Sequence, residues 1–378
     1  MKEKNKLKWK YLVFPFILLL LFVWTNYYID PASIFHNDSE QWENMARSIV
    51  NGDEVYFAFN NGNEREVKHH LIMQMPDQVD CVVIGPSLAM CIDREMTGDS
   101  IFYNLGESGA DLYDILAQFG LMEKYSKKTE RIIFCVDTYF FDRNIYLNRE
   151  IHLPLISYAE YMLSRLGAEP DVEIVHDDSS DKNDLDYVKL KQLFSITYFQ
   201  ESVNWIRKSQ TLFLPDKRIG IVDQDFDYYN YAYYRNDGSW VYSESFANRG
   251  TDLVLNEMEE YDVFNKFPKN CHLNEYNKMI FEKVVQYCID SNIEIDLFLC
   301  PLSPLLWDRL QSADDNYFIL DELESFANEI AEKYDLKITG SYNPYNLNVC
   351  NEDFYDERHI KHDKLANYFD FKAKNQKF

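Results

Sequence analysis

Short apolar runs bounded by turn residues alternate along this chain with longer stretches whose apolar positions recur every three to four residues. That alternation predicts βα units around a mostly parallel sheet. Val82–Ile84, Ile101–Leu105, Arg131–Val136, Ile293–Cys300 and Leu336–Thr339 read as five strands, with helices over about Asp111–Tyr125 and Asn274–Asp290. The expected fold is a flavodoxin-like three-layer α/β/α sandwich on a five-stranded parallel sheet. Between about residues 142 and 271 the pattern loosens over a length that no single crossover needs, which predicts a large insertion or cap beside the active edge. Within it, Asp177–Asp186 reads as an exposed acidic loop and Tyr187–Lys208 as a helix. The tyrosine-rich stretch Tyr228–Tyr242 reads either as a β-ribbon packed on the core or as a set of rings for stacking on sugars.

The N-terminus follows another rule. Lys2, Lys4, Lys6, Lys8 and Lys10 precede nineteen uncharged residues, Tyr11–Ile29, and the run Leu12–Trp24 is apolar throughout. This predicts an N-terminal transmembrane helix, with the lysines in the cytoplasm and residues 30–378 forming an extracytoplasmic domain. No pair of small residues suited to signal-peptide cleavage stands before Ala32, so residues 1–29 are expected to remain as a single-pass anchor in the cell membrane. The lipid bilayer is then a partner through residues 11–29.

Charge and cysteine content narrow the function. The 378 residues hold 38 Lys plus Arg against 63 Asp plus Glu, a net charge of -25, which excludes the basic stripe that nucleic acid requires. Seven cysteines without a CxxC pair exclude a fully bridged scaffold and a zinc ribbon, and those in strand-like runs read as buried thiols.

In open parallel sheets, ligands bind beyond the carboxyl ends of the strands. The first strand ends in Gly85-Pro86-Ser87, where a serine hydroxyl stands on a strand-to-helix turn or simply caps the helix. The second ends in Asn104-Leu105-Gly106, which brings a backbone amide to the same edge, and the third in Asp137-Thr138, a carboxylate and a hydroxyl. Near the C-terminus Asp356-Glu357-Arg358-His359 precedes an apolar-periodic helix, so that Asp356 can hold one imidazole nitrogen while the other faces a serine; alternatively Asp356 or Asp363 caps that helix. Asp356, His359, His362 and Asp363 could also ligate a divalent ion, but no further ligand stands at a recognisable spacing, and neither a metal nor a cofactor is expected. His69, His70 and His272 read as surface or helix-cap residues.

Taken in order, these residues resemble the SGNH hydrolase superfamily, in particular a branch of membrane-anchored bacterial proteins found with cell-surface polymer genes. Ser87 matches the nucleophile, Gly106 the glycine of the second block, and Asp356 and His359 the last block, whereas Pro86 replaces the usual Asp and Asp137-Thr138 stands where an Asn would donate to the oxyanion. The resemblance implies an acyl-serine enzyme with a Ser87-His359-Asp356 triad, with Gly106, Asn104, Asp137 and Thr138 at the oxyanion or substrate. It implies transfer of an acyl group, acetyl above all, to hydroxyls of a cell-surface or secreted polysaccharide, with a membrane-bound O-acyltransferase as acyl donor. An esterase or deacetylase on the same triad, or a non-catalytic carbohydrate-binding or scaffold subunit, are the alternatives; the third-block departure favours the latter.

Overall fold

The computed structural model describes residues 2–30, 35, 39–57, 63–141, 155–170, 190–209, 219–267, 269–313 and 317–372. The acidic segment Asp177–Asp186, and the parts of the expected insertion that surround it, lie outside the described residues. The chain divides into two compact units: residues 1–42, 56–63 and 173–220 form one, and residues 43–55, 64–172 and 221–378 the other.

The larger unit is built on a five-stranded parallel sheet of β1 (Gln78–Ile84), β2 (Phe102–Asn104), β3 (Lys128–Cys135), β4 (Glu294–Leu299) and β5 (Lys337–Gly340). Its order is 2-1-3-4-5, that of doubly wound flavodoxin-type sheets, in which ligands bind beyond the strand ends where the order reverses, here between β1 and β3. The strands are apolar and buried because both faces are covered. Cys135 of β3 lies opposite Phe298 of β4, and Phe134 opposite Leu297, so Phe134 and Phe298 point to opposite faces. Phe134 packs on Phe119 and Phe281 of the helices Leu112–Lys124 and Glu275–Asp290, and Phe298 packs on Phe369 and Phe371 of the C-terminal segment.

The helix ends follow side-chain chemistry. Asp111 accepts from the amides of Tyr113 and Asp114 while Asp114 returns a bond to the Asp111 amide, a complete capping box. Asn274 caps the next helix through the Asn277 amide. Gly85, the first residue after β1, has φ +154, and a Cβ there would lie 2.7 Å from the Cβ of Cys135. Only glycine lets the chain leave β1 so close to β3. Five of the seven cysteines, Cys81, Cys91, Cys135, Cys288 and Cys300, are buried free thiols.

In the smaller unit the helix Lys2–Ile29 exposes Phe14, Phe16, Leu18, Leu20 and Trp24, apolar side chains on every side of it. Among the described residues no helix is long and apolar enough to cross a membrane, so the transmembrane helix expected over residues 11–29 is not supported. The last turn is moreover spent on protein: Asn26 Nδ2 donates to the carbonyls of Gln192, Leu193 and Ser195, and the Tyr198 hydroxyl donates to Asp30 at 2.5 Å. Of the expected helix Tyr187–Lys208, residues Ile196–Ser209 are helical, with Phe199 stacked on Phe22 at 4.6 Å.

Candidate active site

Ser87 opens a short 3-10 turn, Ser87–Ala89, directly beyond β1. It does not cap that turn: the N-cap position belongs to Pro86, and no side chain caps it. The turn's own bonds begin at the Ala89 amide, which donates to Pro86, and the Met90 amide, which donates to Ser87, so they leave the amides of Ser87 and Leu88 unused. The Ser87 hydroxyl instead lies 2.8 Å from Nε2 of His359.

His359 is held from behind. Its Nδ1 lies 2.9 Å from both oxygens of Asp356, and Asp356 Oδ1 also accepts from the backbone amides of Arg358 at 2.9 Å and His359 at 2.8 Å. Burial alone would raise the Asp356 carboxyl, but the His359 hydrogen bond and charge, with the two amides, outweigh it and hold the group at about 2. An ionised Asp356 places the proton on His359 Nδ1 and leaves Nε2 free to accept from Ser87. Asp356 caps no helix, since the following helix His362–Tyr368 has Lys361 at its N-cap without a side-chain bond. The loop is closed by a bridge between Phe354 and Ile360.

Asn104 and Gly106 are bound to each other. Asn104 is fully buried, and its Nδ2 donates to the carbonyls of Ala89, Met90 and Ile92, pinning the loop that follows Ser87. Its Oδ1 accepts from the Gly106 amide at 2.8 Å, so the amide expected to meet an oxyanion is engaged within the loop. The tyrosine-rich stretch forms a hairpin, Tyr233–Tyr234 paired antiparallel with Trp240–Val241, whose turn supports the same loop. Trp240 donates its amide to Met90 at 2.7 Å, Asn104 donates its amide to Asp237, and Asp237 accepts from the Arg94 amide. Lys68, wholly buried, donates to the carbonyls of Asn104 and Gly238, and burial lowers its ammonium to about 8. Nothing in the apolar periodicity of the sequence marks this lysine.

Behind Gly106, Glu107 is buried among Gln118, His69 and Asp114. Burial and the Asp114 carboxylate push Glu107 up to about 8, and burial pushes His69 down to about 3. With His69 kept neutral by burial, its 3.8 Å contact with Glu107 is not an ion pair at neutral pH, and Arg65, 3.8 Å from the other Glu107 oxygen, is the cation that faces this carboxyl. His69 is interior rather than superficial, whereas His272 is exposed and meets Glu322.

Asp137 is buried beyond β3, where Arg358 donates to it at 2.5 Å and the Thr138 hydroxyl and Tyr139 amide bond its other oxygen. The carboxylate beyond β3 is thus neutralised by the neighbour of the candidate base, a partner not read from the sequence. Close by, Lys266 rests its ammonium over the Tyr139 ring, and burial together with the Arg358 charge lowers it to about 8. His362 turns away from His359 to Asp93, 2.7 Å from Oδ2. Among the described residues no group of three or more His, Cys, Asp or Glu is placed to hold a metal ion.

No protein-family model matches this chain, and no curated protein matches it.

Proposed function

We propose that the protein is a serine-dependent acyl-transfer enzyme acting on hydroxyls of a cell-surface or secreted polysaccharide. The observation that carries this reading is the continuous chain of hydrogen bonds from the Ser87 hydroxyl through His359 to Asp356 at a topological switch point. Ser87 Oγ attacks the acyl carbonyl carbon as its proton passes to His359 Nε2, and the leaving oxygen takes that proton as its bond to the carbonyl carbon breaks. A sugar hydroxyl then gives its proton to His359 and attacks the acyl-serine, and Ser87 recovers the proton on release. If water enters instead, the same residues make an esterase. The Ser87 amide, with the adjacent Leu88 amide, is the nearest source of oxyanion donors; Gly106 joins them only by exchanging its bond to Asn104.

The reading extends to place: the helix Lys2–Ile29 holds the chain at the cell membrane through its exposed apolar side chains, with a membrane-bound O-acyltransferase supplying the acyl group. The ring of exposed apolar side chains around the helix Lys2–Ile29 supports this. The test is intact mass of the full chain in detergent after a serine-directed fluorophosphonate. One adduct, mapped to Ser87 and missing from Ser87→Ala and His359→Ala, is expected; no adduct on the folded protein turns the reading toward a binding subunit.

A further inference from the structure

The wall of the site on the hairpin side is aromatic. Tyr242 stands edge-on to His359 with ring centres 6.2 Å apart, stacks on Phe246 at 4.9 Å, and meets Tyr355 at 4.8 Å. Phe246 lies on the short helix Glu244–Ala247, and the first amides of that segment, Glu244 and Ser245, donate to the carbonyls of Tyr228 and Tyr229. The strip therefore continues from the candidate base to two tyrosines in the open, Tyr228 at 43% exposure and Tyr229 at 61%. Tyr228 is braced from behind by Phe226 at 4.8 Å and Tyr233 at 5.9 Å, which fixes its ring.

The exposed charges beside the two open tyrosines are acidic. Asp223, Asp225, Asp227 and Glu244 are exposed beside the tyrosines. The two basic residues near the strip are already engaged: Arg235 faces Asp93 at 3.6 Å, and Arg249, whose guanidinium lies 4.0 Å over Phe246, pairs with Glu257 at 2.6 Å and donates to the Tyr355 carbonyl. Carboxylates accept hydrogen bonds from hydroxyls and repel phosphates and uronates. Braced tyrosine rings offer amphipathic contact area at little entropic cost.

We propose that this strip is the acceptor subsite, and that its ligand is a sugar chain without anionic groups, lying over Tyr229 and Tyr228 and reaching His359 past Tyr242. The proposal rests on the acyl-transfer reading of Ser87 and sharpens it, because the acceptor class follows from the collar of carboxylates. Lys266 and Arg358 occupy the other flank of the triad, beyond β3. A polyanionic acceptor would be drawn there instead.

The experiment is calorimetric titration of the full chain in detergent with neutral glucan, galactan and mannan oligosaccharides and with oligogalacturonate. At least one neutral chain is expected to bind, with Kd about tenfold weaker in Tyr229→Ala and unchanged in Tyr125→Ala, whose ring lies at the opposite end of the sheet. Failure of all three neutral chains to bind, oligogalacturonate binding as tightly as they do, or an unchanged Kd in Tyr229→Ala overturns the proposal. Fluorophosphonate labelling of the same sample separates it from the parent reading. An adduct at Ser87 without neutral-glycan binding removes the subsite alone; binding that depends on Tyr229 without any adduct removes the acyl chemistry and keeps a glycan surface.

Discussion

Two histidines three positions apart, His359 and His362, each bond an aspartate, and the third partner separates their roles. His359 has Asp356 on Nδ1 and the Ser87 hydroxyl on Nε2, so one ring joins a carboxylate to a hydroxyl. The Nε2 of His362 is itself the atom bound to Asp93, and Arg235 approaches the same carboxylate oxygen at 3.6 Å. Asp93 has work of its own, capping the helix Arg94–Thr97 through the Met96 amide. Burial would raise its carboxyl, but the bonds from His362 and Met96 hold it below the usual range. A histidine–aspartate pair is thus a hinge-pin in one case and, on the acyl-transfer reading, part of a proton path in the other, and only the atom beyond the ring distinguishes them.

The sharpest way to break the comparison is Ser87→Ala. It should lower acyl turnover by roughly 10⁴-fold or more while the melting temperature stays in place, measured by turnover of an aryl acetate beside thermal unfolding. Asp356→Asn comes next, with a loss of about 10⁴-fold at most, because the ring is then free to take the wrong tautomer; a rate within tenfold of the parent would show that Asp356 does not orient His359.

Asp137→Asn tests the other flank. Leaving Arg358 buried without its carboxylate should cost about 3 kcal/mol in urea unfolding, and a loss under 1 kcal/mol would mean that Arg358 finds water or another acceptor.

Acid offers a smaller effect with a defined sign. Asp356 is depressed in the folded chain to about 2, from 3.8, so its stabilisation is full above pH 4 and is lost as pH falls toward 2. It amounts to about 2 kcal/mol, and Asp356→Asn should flatten that part of the acid limb. Smallest is His362→Gln, in which the amide nitrogen can still reach Asp93. Labelling of Ser87 should stay within about threefold and stability within about 1 kcal/mol. A tenfold slower labelling would move His362 from hinge-pin to participant.

The sheet was legible in the sequence because its strands are buried on both faces and read as continuous apolar runs. All five lie within a few residues of their expected positions, and Asp111 and Asn274 mark helix starts as capping residues do. The helix Glu64–Gln74 was not legible, since buried Lys68 and His69 break its apolar stripe. Arg131 heads an apolar run, yet it is inside, held by Asp99, Asp296 and the Phe371 carbonyl. At the site, the spacing of Asp356 and His359 and the serine after β1 could be read locally. Asp137 with Arg358, Asn104 with Gly106, and the hairpin under the Ser87 loop could not, because each depends on where a side chain's partner lies in three dimensions.

The bond between Ser87 and His359 joins residues 272 positions apart. On the acyl-transfer reading, the hydroxyl leaves the ribosome long before its base exists, and a chain that stops before His359 cannot carry the reaction. Loops of that span are among the last to close in folding. A chain ending before His359 would keep all five strands in its sequence but lose, on that reading, its base, together with Phe369 and Phe371, which cover Phe298.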